Sequence, residues 1–148
     1  MRRRQREFEA ELGASKLFVA FTSEQVHELA RRSTRAREPK GTVFSREGER
    51  GDELVVLLEG NVEVRRGDKV LAQLGPGEHF GEMALLDESA RRSATVVAIS
   101  PVVVAYVSRH HFDALLAANP TVRDAIARVL HERSVDPEEK TGPASTET

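Results

Sequence analysis

A mainly β domain flanked by helices is the fold that this 148-residue sequence predicts. Three observations carry it. Between Arg35 and Val107 the apolar residues fall into short β-type runs. Glycine- and proline-bearing turns separate those runs, and on either side of the block the apolar period becomes helical. Short strands at this spacing point to an antiparallel barrel, a sandwich or a jelly-roll form of either.

The first third reads as helix. Phe8 and Leu12 stand four apart in a polar stretch, which places them on one helical face. Gly13 punctuates that stretch, and Leu17, Phe18, Val19 and Phe21 form an apolar knot. Ser23 reads as the N-cap of a short helix with Val26, Leu29 and Ala30 on one side, ending near Arg32. The strand-like runs are Thr42 to Phe44, Glu53 to Leu58, Asn61 to Val64, Val70 to Leu74, Ala94 to Ile99 and Val102 to Val107. Gly60-Asn61 reads as a tight hairpin turn between two of them. After Val107, Ser108 is expected to cap a helix carrying Phe112, Leu115 and Leu116. Asn119-Pro120 then opens a last helix, since proline at the first helical position loses nothing by lacking an N–H. Val122, Ile126, Val129 and Leu130 give that helix one apolar stripe as far as Ser134. Residues 135–148 have almost nothing to bury and are expected to be a disordered tail.

Composition narrows the function classes. A hydrophobic share of 39% with 10 glycines is enough for a core. The 22 basic and 24 acidic side chains nearly cancel, so the bulk positive field of a nucleic-acid coat is missing. Cysteine is absent, which excludes disulfides, thiol catalysis and cysteine-ligated metal centres. The five histidines do not have helical metal-ligand spacing, and no metal is expected. No run approaches the roughly 20 apolar residues of a membrane span. Glu7, Glu9 and Glu11 stand where a secretory signal would be apolar, so a cytoplasmic protein is expected.

One segment carries chemistry. It runs from Gly75 through Phe80-Gly81-Glu82-Met83-Ala84-Leu85 to Arg92-Ser93-Ala94-Thr95-Val96. A glycine approach into good helix formers offers free N–H groups to a phosphate. Arginine, which matches paired phosphate oxygens, follows at Arg91 and Arg92. Glu82 among these donors would repel a phosphate but suits a ribose hydroxyl. Sugar, phosphate and a small apolar wall together describe a nucleotide.

At these residues the sequence resembles the cyclic nucleotide-binding domain family. The resemblance lies in the phosphate-binding cassette, Phe80 to Leu85 and Arg92 to Val96, and in Glu47 to Leu54 and Leu58 to Val64 upstream. It extends over about Leu17 to Leu130. It implies an eight-stranded antiparallel β-roll with N-terminal helices and two C-terminal helices. The implied domain spans 15–134, after an N-terminal helical extension over 1–14. The ligand-contacting set it implies is Phe80, Gly81, Glu82, Met83, Ala84, Arg92, Ser93 and Ala94. Glu82 would take the ribose hydroxyl and Arg92 the cyclic phosphate, while N–H groups around Gly81 and Ala84 complete the cradle. Arg91 is a rival for the phosphate, because the loop before it is a residue longer than in many kinase-type members. Arg92 is favoured because Ser93-Ala94-Thr95 follows it directly.

The expected function is a sensor for cyclic AMP, with cyclic GMP as the other candidate, and without catalysis or cofactor. Ligand binding would alter the packing of the C-terminal helix, and an effector protein or a second copy would read that change. The rivals are a β-roll scaffold without ligand, a fragment of a transcription regulator and a phosphodiesterase. No recognition helix follows Ser134 and no metal cluster or nucleophile elbow is visible, so neither DNA reading nor hydrolysis is expected.

Overall fold

The computed structural model describes residues 2–51, 53–81, 91–121, 123–124 and 126–128. Two helices, α1 (Arg2–Gly13) and α2 (Ser23–Arg31), precede eight strands. The strands are β1 (Ser33–Glu38), β2 (Val43–Ser45), β3 (Glu53–Glu59), β4 (Val62–Arg66), β5 (Lys69–Leu74), β6 (His79–Phe80), β7 (Thr95–Ala98) and β8 (Val102–Ser108). Helix α3 (Arg109–Ala118) follows, and the described residues from 120 to 128 are again helical. The expected tail, and Val122, Val129 and Leu130 of the expected stripe, lie outside the described residues.

The strands form two four-stranded sheets, in the orders β1-β8-β3-β6 and β2-β7-β4-β5. Every pairing is antiparallel. Strand β3 buries five residues in succession, Leu54 to Leu58, because its sheet is covered on both faces. The pleat sorts them. Leu54, Val56 and Leu58, with Val103, Ala105 and Val107 of β8, face the helices. Val55 and Leu57, with Val102 and Val104, face the second sheet, where they meet Val62, Leu74, Val96 and Ala98. The molecule is therefore layered helix, sheet, sheet.

The helical layer is anchored by its aromatic knot. Phe18 lies 5.0 Å from Phe21 and 6.2 Å from Phe112 between ring centroids. Phe8 and Leu12 of α1 and Ile126 join the same buried cluster. On the surface of this layer, Arg35 of β1 grips the Glu11 carboxylate of α1 through Nε at 3.0 Å and Nη2 at 3.1 Å. Such a planar two-point contact fixes orientation better than a point charge would.

Four local expectations need correction. The N-cap of α2 is Thr22, not Ser23. Thr22 Oγ1 accepts from the Gln25 N–H, and Gln25 Oε1 accepts from the Thr22 N–H, a reciprocal capping box that Ser23 one residue later cannot make. The strand-like runs of the sequence omit β1 and the two-residue β6. Asn61 precedes β4, which instead runs on to Arg66 beside β5. Finally, Gly60-Asn61 is a tight turn but not a hairpin, since β3 and β4 belong to different sheets. The neighbouring two-residue turn at Gly67-Asp68 is the one that joins paired strands.

Gly60 has φ +86°, and a Cβ there would overlap the Pro101 carbonyl and lie 2.8 Å from Val102 Cγ1. At Gly67, φ is +60° but an added Cβ would meet nothing. Gly60→Ala is therefore expected to lose about 2–3 kcal/mol, and Gly67→Ala about 1 kcal/mol. Denaturant melts of the two variants side by side check this. Equal losses would remove the steric half of the argument.

Candidate functional site

Strand β6 delivers Phe80 to the space between the sheets, where it is 6% exposed. The Phe44 ring of β2 packs edge-on against it at 5.6 Å and reaches Tyr106 of β8 at 6.4 Å. Tyr106 donates its hydroxyl to Glu38 at 2.8 Å. Burial, and then that hydrogen bond, pushes the Tyr106 hydroxyl above its ordinary range, so it remains a donor at physiological pH. Phe80, at the end of β6, is thus part of a chain of three rings.

Gly81 follows with φ +84°, a conformation that favours glycine. From here the chain passes through residues 82–90, so the expected contacts of Glu82, Met83 and Ala84 lie outside the described residues. It returns at Arg91, where the turn of 46–51 pins it. The Gly48 N–H donates to the Arg92 carbonyl at 2.8 Å, and the Arg92 N–H donates to the Glu49 carbonyl at 2.7 Å. Arg91 also forms a β-bridge with Arg50.

The pinned backbone sends the two arginines different ways. Arg91 is exposed and donates from Nη1 to the Gly48 carbonyl at 3.1 Å, back onto the turn. Arg92 is partly buried, and its Nη2 donates to the Glu53 carbonyl at 3.1 Å. Its guanidinium lies between two glycine backbones. A Cβ on Gly81 would lie 2.5 Å from Nη1 and 2.6 Å from the Glu53 oxygen, and a Cβ on Gly51 would overlap the guanidinium. Both positions must be glycine for Arg92 to sit there.

The remaining expected residues frame this group. Ser93 is exposed, and its carbonyl accepts from Arg66 Nε at 3.1 Å. Ala94 is 8% exposed, and its carbonyl accepts from Ser45 Oγ at 2.9 Å. Thr95 Oγ1 accepts from the Glu47 N–H at 3.0 Å, which ties the same turn to β7. Of the expected set, Gly81 and Arg92 therefore meet beside Phe80, with Ser93 and Ala94 in the bend that leads into β7. Sequence reasoning treated Gly51 only as part of a turn. Its second duty, making room for a guanidinium, depends on a contact 41 positions away and left no local signal.

Chemically, the Arg92 guanidinium is held by a backbone carbonyl beside a glycine peptide, and a guanidinium is a group suited to the paired oxygens of an anion. The absent side chains at Gly51 and Gly81 make the room that the Arg92 guanidinium occupies. Among the described residues no helix is long and apolar enough to cross a membrane.

Comparison with known proteins identifies the family. The family profile described as the cyclic nucleotide-binding domain matches residues 37–119. The Pycsar effector protein XpPycTIR of Xanthomonas perforans is 33% identical over 134 residues, covering 85% of this chain and 44% of its own. The cyclic AMP receptor protein of Thermus thermophilus is 34% identical over 124 residues, covering 80% of this chain and 57% of its own. The chain thus spans about half the length of these curated relatives. Among solved structures, the N-terminal domain of a transcriptional regulator from Streptomyces coelicolor superposes with a TM-score of 0.72. It is 30% identical, over 90% of this chain and 94% of that one. The matched segment runs from β1 to the end of α3 and contains Phe80, Gly81, Arg92, Ser93 and Ala94; on that basis the chain belongs to the cyclic nucleotide-binding domain family.

Proposed function

We propose that residues 15–134 are a cyclic AMP sensor, with 1–14 as a helical extension, and that this unit regulates without catalysing. One observation carries the reading: Arg92 is held over the Gly81 peptide at the mouth of the cassette motif. In this reading Arg92 binds the cyclic phosphate, Glu82 the ribose hydroxyl, and the N–H groups around Gly81 and Ala84 the remaining phosphate oxygens. Phe80, Met83, Ser93 and Ala94 complete the contacts. Cyclic AMP is preferred over cyclic GMP because the Thermus receptor and two kinase regulatory subunits among the similar proteins are named for it, against one kinase named for cyclic GMP. Ser93 supplies a hydroxyl compatible with either base.

The output is the helical stretch from 120. Ile126 is 3% exposed in the helical core that also receives β3 and β8, so a shift at this stretch is felt across that layer. An effector protein or a second copy then reads the shift, and the protein acts in the cytoplasm.

Thermal melts with cyclic AMP and cyclic GMP test the proposal. A ligand at 100 times its dissociation constant adds about 2.7 kcal/mol of apparent stability. Cyclic AMP is expected to raise the melting temperature with saturation. No shift approaching millimolar ligand would overturn the binding reading, and linear product after incubation would overturn the non-catalytic one.

A further inference from the structure

Gln25 serves two helices at once. Within α2 its Oε1 accepts from the Thr22 N–H at 2.9 Å, which closes the capping box. Its Nε2 is then free of that duty and donates to Asn119 Oδ1 at 3.1 Å, across 94 positions of sequence. Asn119 is where α3 stops. Its amide nitrogen Nδ2 donates to the Leu115 carbonyl at 2.8 Å, and its N–H donates to the Leu116 carbonyl at 3.1 Å. Its own carbonyl accepts from the Arg123 N–H at 3.1 Å, the first turn of the next helical stretch.

The direction of that stretch is not set by helix continuity. Pro120 has no N–H and disfavours helical backbone at the residue before it. Asn119 accordingly has φ −139° and ψ 75°, outside the helical region. Ile126 anchors the far part of the stretch in the helical core, but beside the joint itself the packing is open. A groove of about 650 Å³ separates α2 from α3 and is lined by Leu29, Ala114, Leu115 and Ala118. Gln25 and Asn119 both border this groove, so their hydrogen bond bridges a gap that packing leaves open.

We infer that Gln25 is a positioning residue, a polar latch that ties the start of α2 to the joint at Asn119 and so fixes how residues 120–128 leave α3. Its part in signalling rests on the sensing reading above, whereas the latch itself stands without ligand. Loss of one partly buried neutral hydrogen bond should shift local opening by roughly 3- to 10-fold.

Gln25→Glu isolates the latch from the cap. The carboxylate still accepts from the Thr22 N–H and suits a helix N-terminus. The donor facing Asn119 Oδ1 is replaced by an oxygen, and Asn119 cannot answer by turning over while Nδ2 holds the Leu115 carbonyl. The expected result is a melting temperature equal to the parent's or higher, with α2 amides equally protected. Amides at 123, 124 and 126–128 should exchange roughly 3- to 10-fold faster. Parent-like exchange at 123–128 in Gln25→Glu would overturn the latch. With saturating cyclic AMP, the ligand-dependent change in exchange at 123–128 should fall by half or more in Gln25→Glu, at unchanged stoichiometry. If that change is as large as the parent's, the signalling role is overturned. If the parent itself shows no response to ligand, the sensing reading fails and the ligand-free comparison still decides the latch.

Discussion

Arg92→Ala is expected to weaken cyclic AMP binding by roughly 30- to 3,000-fold. The basis is the cost of leaving a desolvated anion without its cation, about 2–5 kcal/mol, at about 1.4 kcal/mol per decade of affinity. Arg91→Ala should change binding by only a few fold, because an exposed arginine contributes about 0–1 kcal/mol and is screened by salt. The two side chains differ in placement rather than chemistry. Arg92 is partly buried against Gly81 and the Glu53 carbonyl, while Arg91 lies exposed against the Gly48 carbonyl. Glu82→Ala should fall between them, since it removes hydrogen bonds to a neutral sugar but also relieves repulsion of the phosphate. Titration of the three variants, each first shown to melt cooperatively, gives the ranking. A crippled Arg91→Ala beside a normal Arg92→Ala would move the cassette register by one residue.

The largest expected loss of stability is at Phe112. Its side chain is 0% exposed and packs against Phe18 where α3 meets the N-terminal knot. Phe112→Ala leaves a cavity that the surrounding β3, β8 and α1 residues cannot all relax to fill, and should cost about 3–5 kcal/mol. Domains of this size have about 5–15 kcal/mol in total, so the variant should melt roughly 10–20 °C lower. Val70→Ala is the control. Val70 is 50% exposed on β5 and should lie within about 0.5 kcal/mol of the parent. Parallel calorimetric scans of both variants make the comparison.

The two-core layering was legible in the sequence wherever burial is sharply divided. Val26, Leu29 and Ala30 showed the inner face of α2, and Phe8 with Leu12 that of α1. The uninterrupted run Leu54 to Leu58 is the signature of a strand covered on both faces. The same run warns against the hairpin reading of Gly60-Asn61, because a strand buried on both faces is central and its successor can cross to the other sheet. Strand β1 was not legible. Ser33 to Glu38 is polar and lies at a sheet edge, and it is extended because β8 offers it a six-residue ladder from Val107 to Val102. Nothing in its own residues demands that.

The candidate site was legible as a motif and not as a geometry. Phe80-Gly81 and Arg92-Ser93-Ala94 announced a phosphate site through residue type and order alone. The choice between adjacent arginines was harder, because the loop before them has one residue more than the pattern. Backbone bonds from Arg92 to Gly48 and Glu49 place the two side chains, and those partners are more than 40 positions away. Gly51 was hidden for the same reason. Likewise the Tyr106–Glu38 pair under Phe44 and Phe80 joins β8 to β1 across a strand the sequence did not reveal.

The central claim is that this chain holds a cyclic nucleotide through the Arg92 cradle. Isothermal titration calorimetry of the unmodified protein with cyclic AMP, repeated with cyclic GMP, addresses it most directly. The account predicts saturable heat at one site per chain for cyclic AMP, at least as tight as for cyclic GMP. Absence of saturable heat for both nucleotides at concentrations approaching the millimolar range would contradict it.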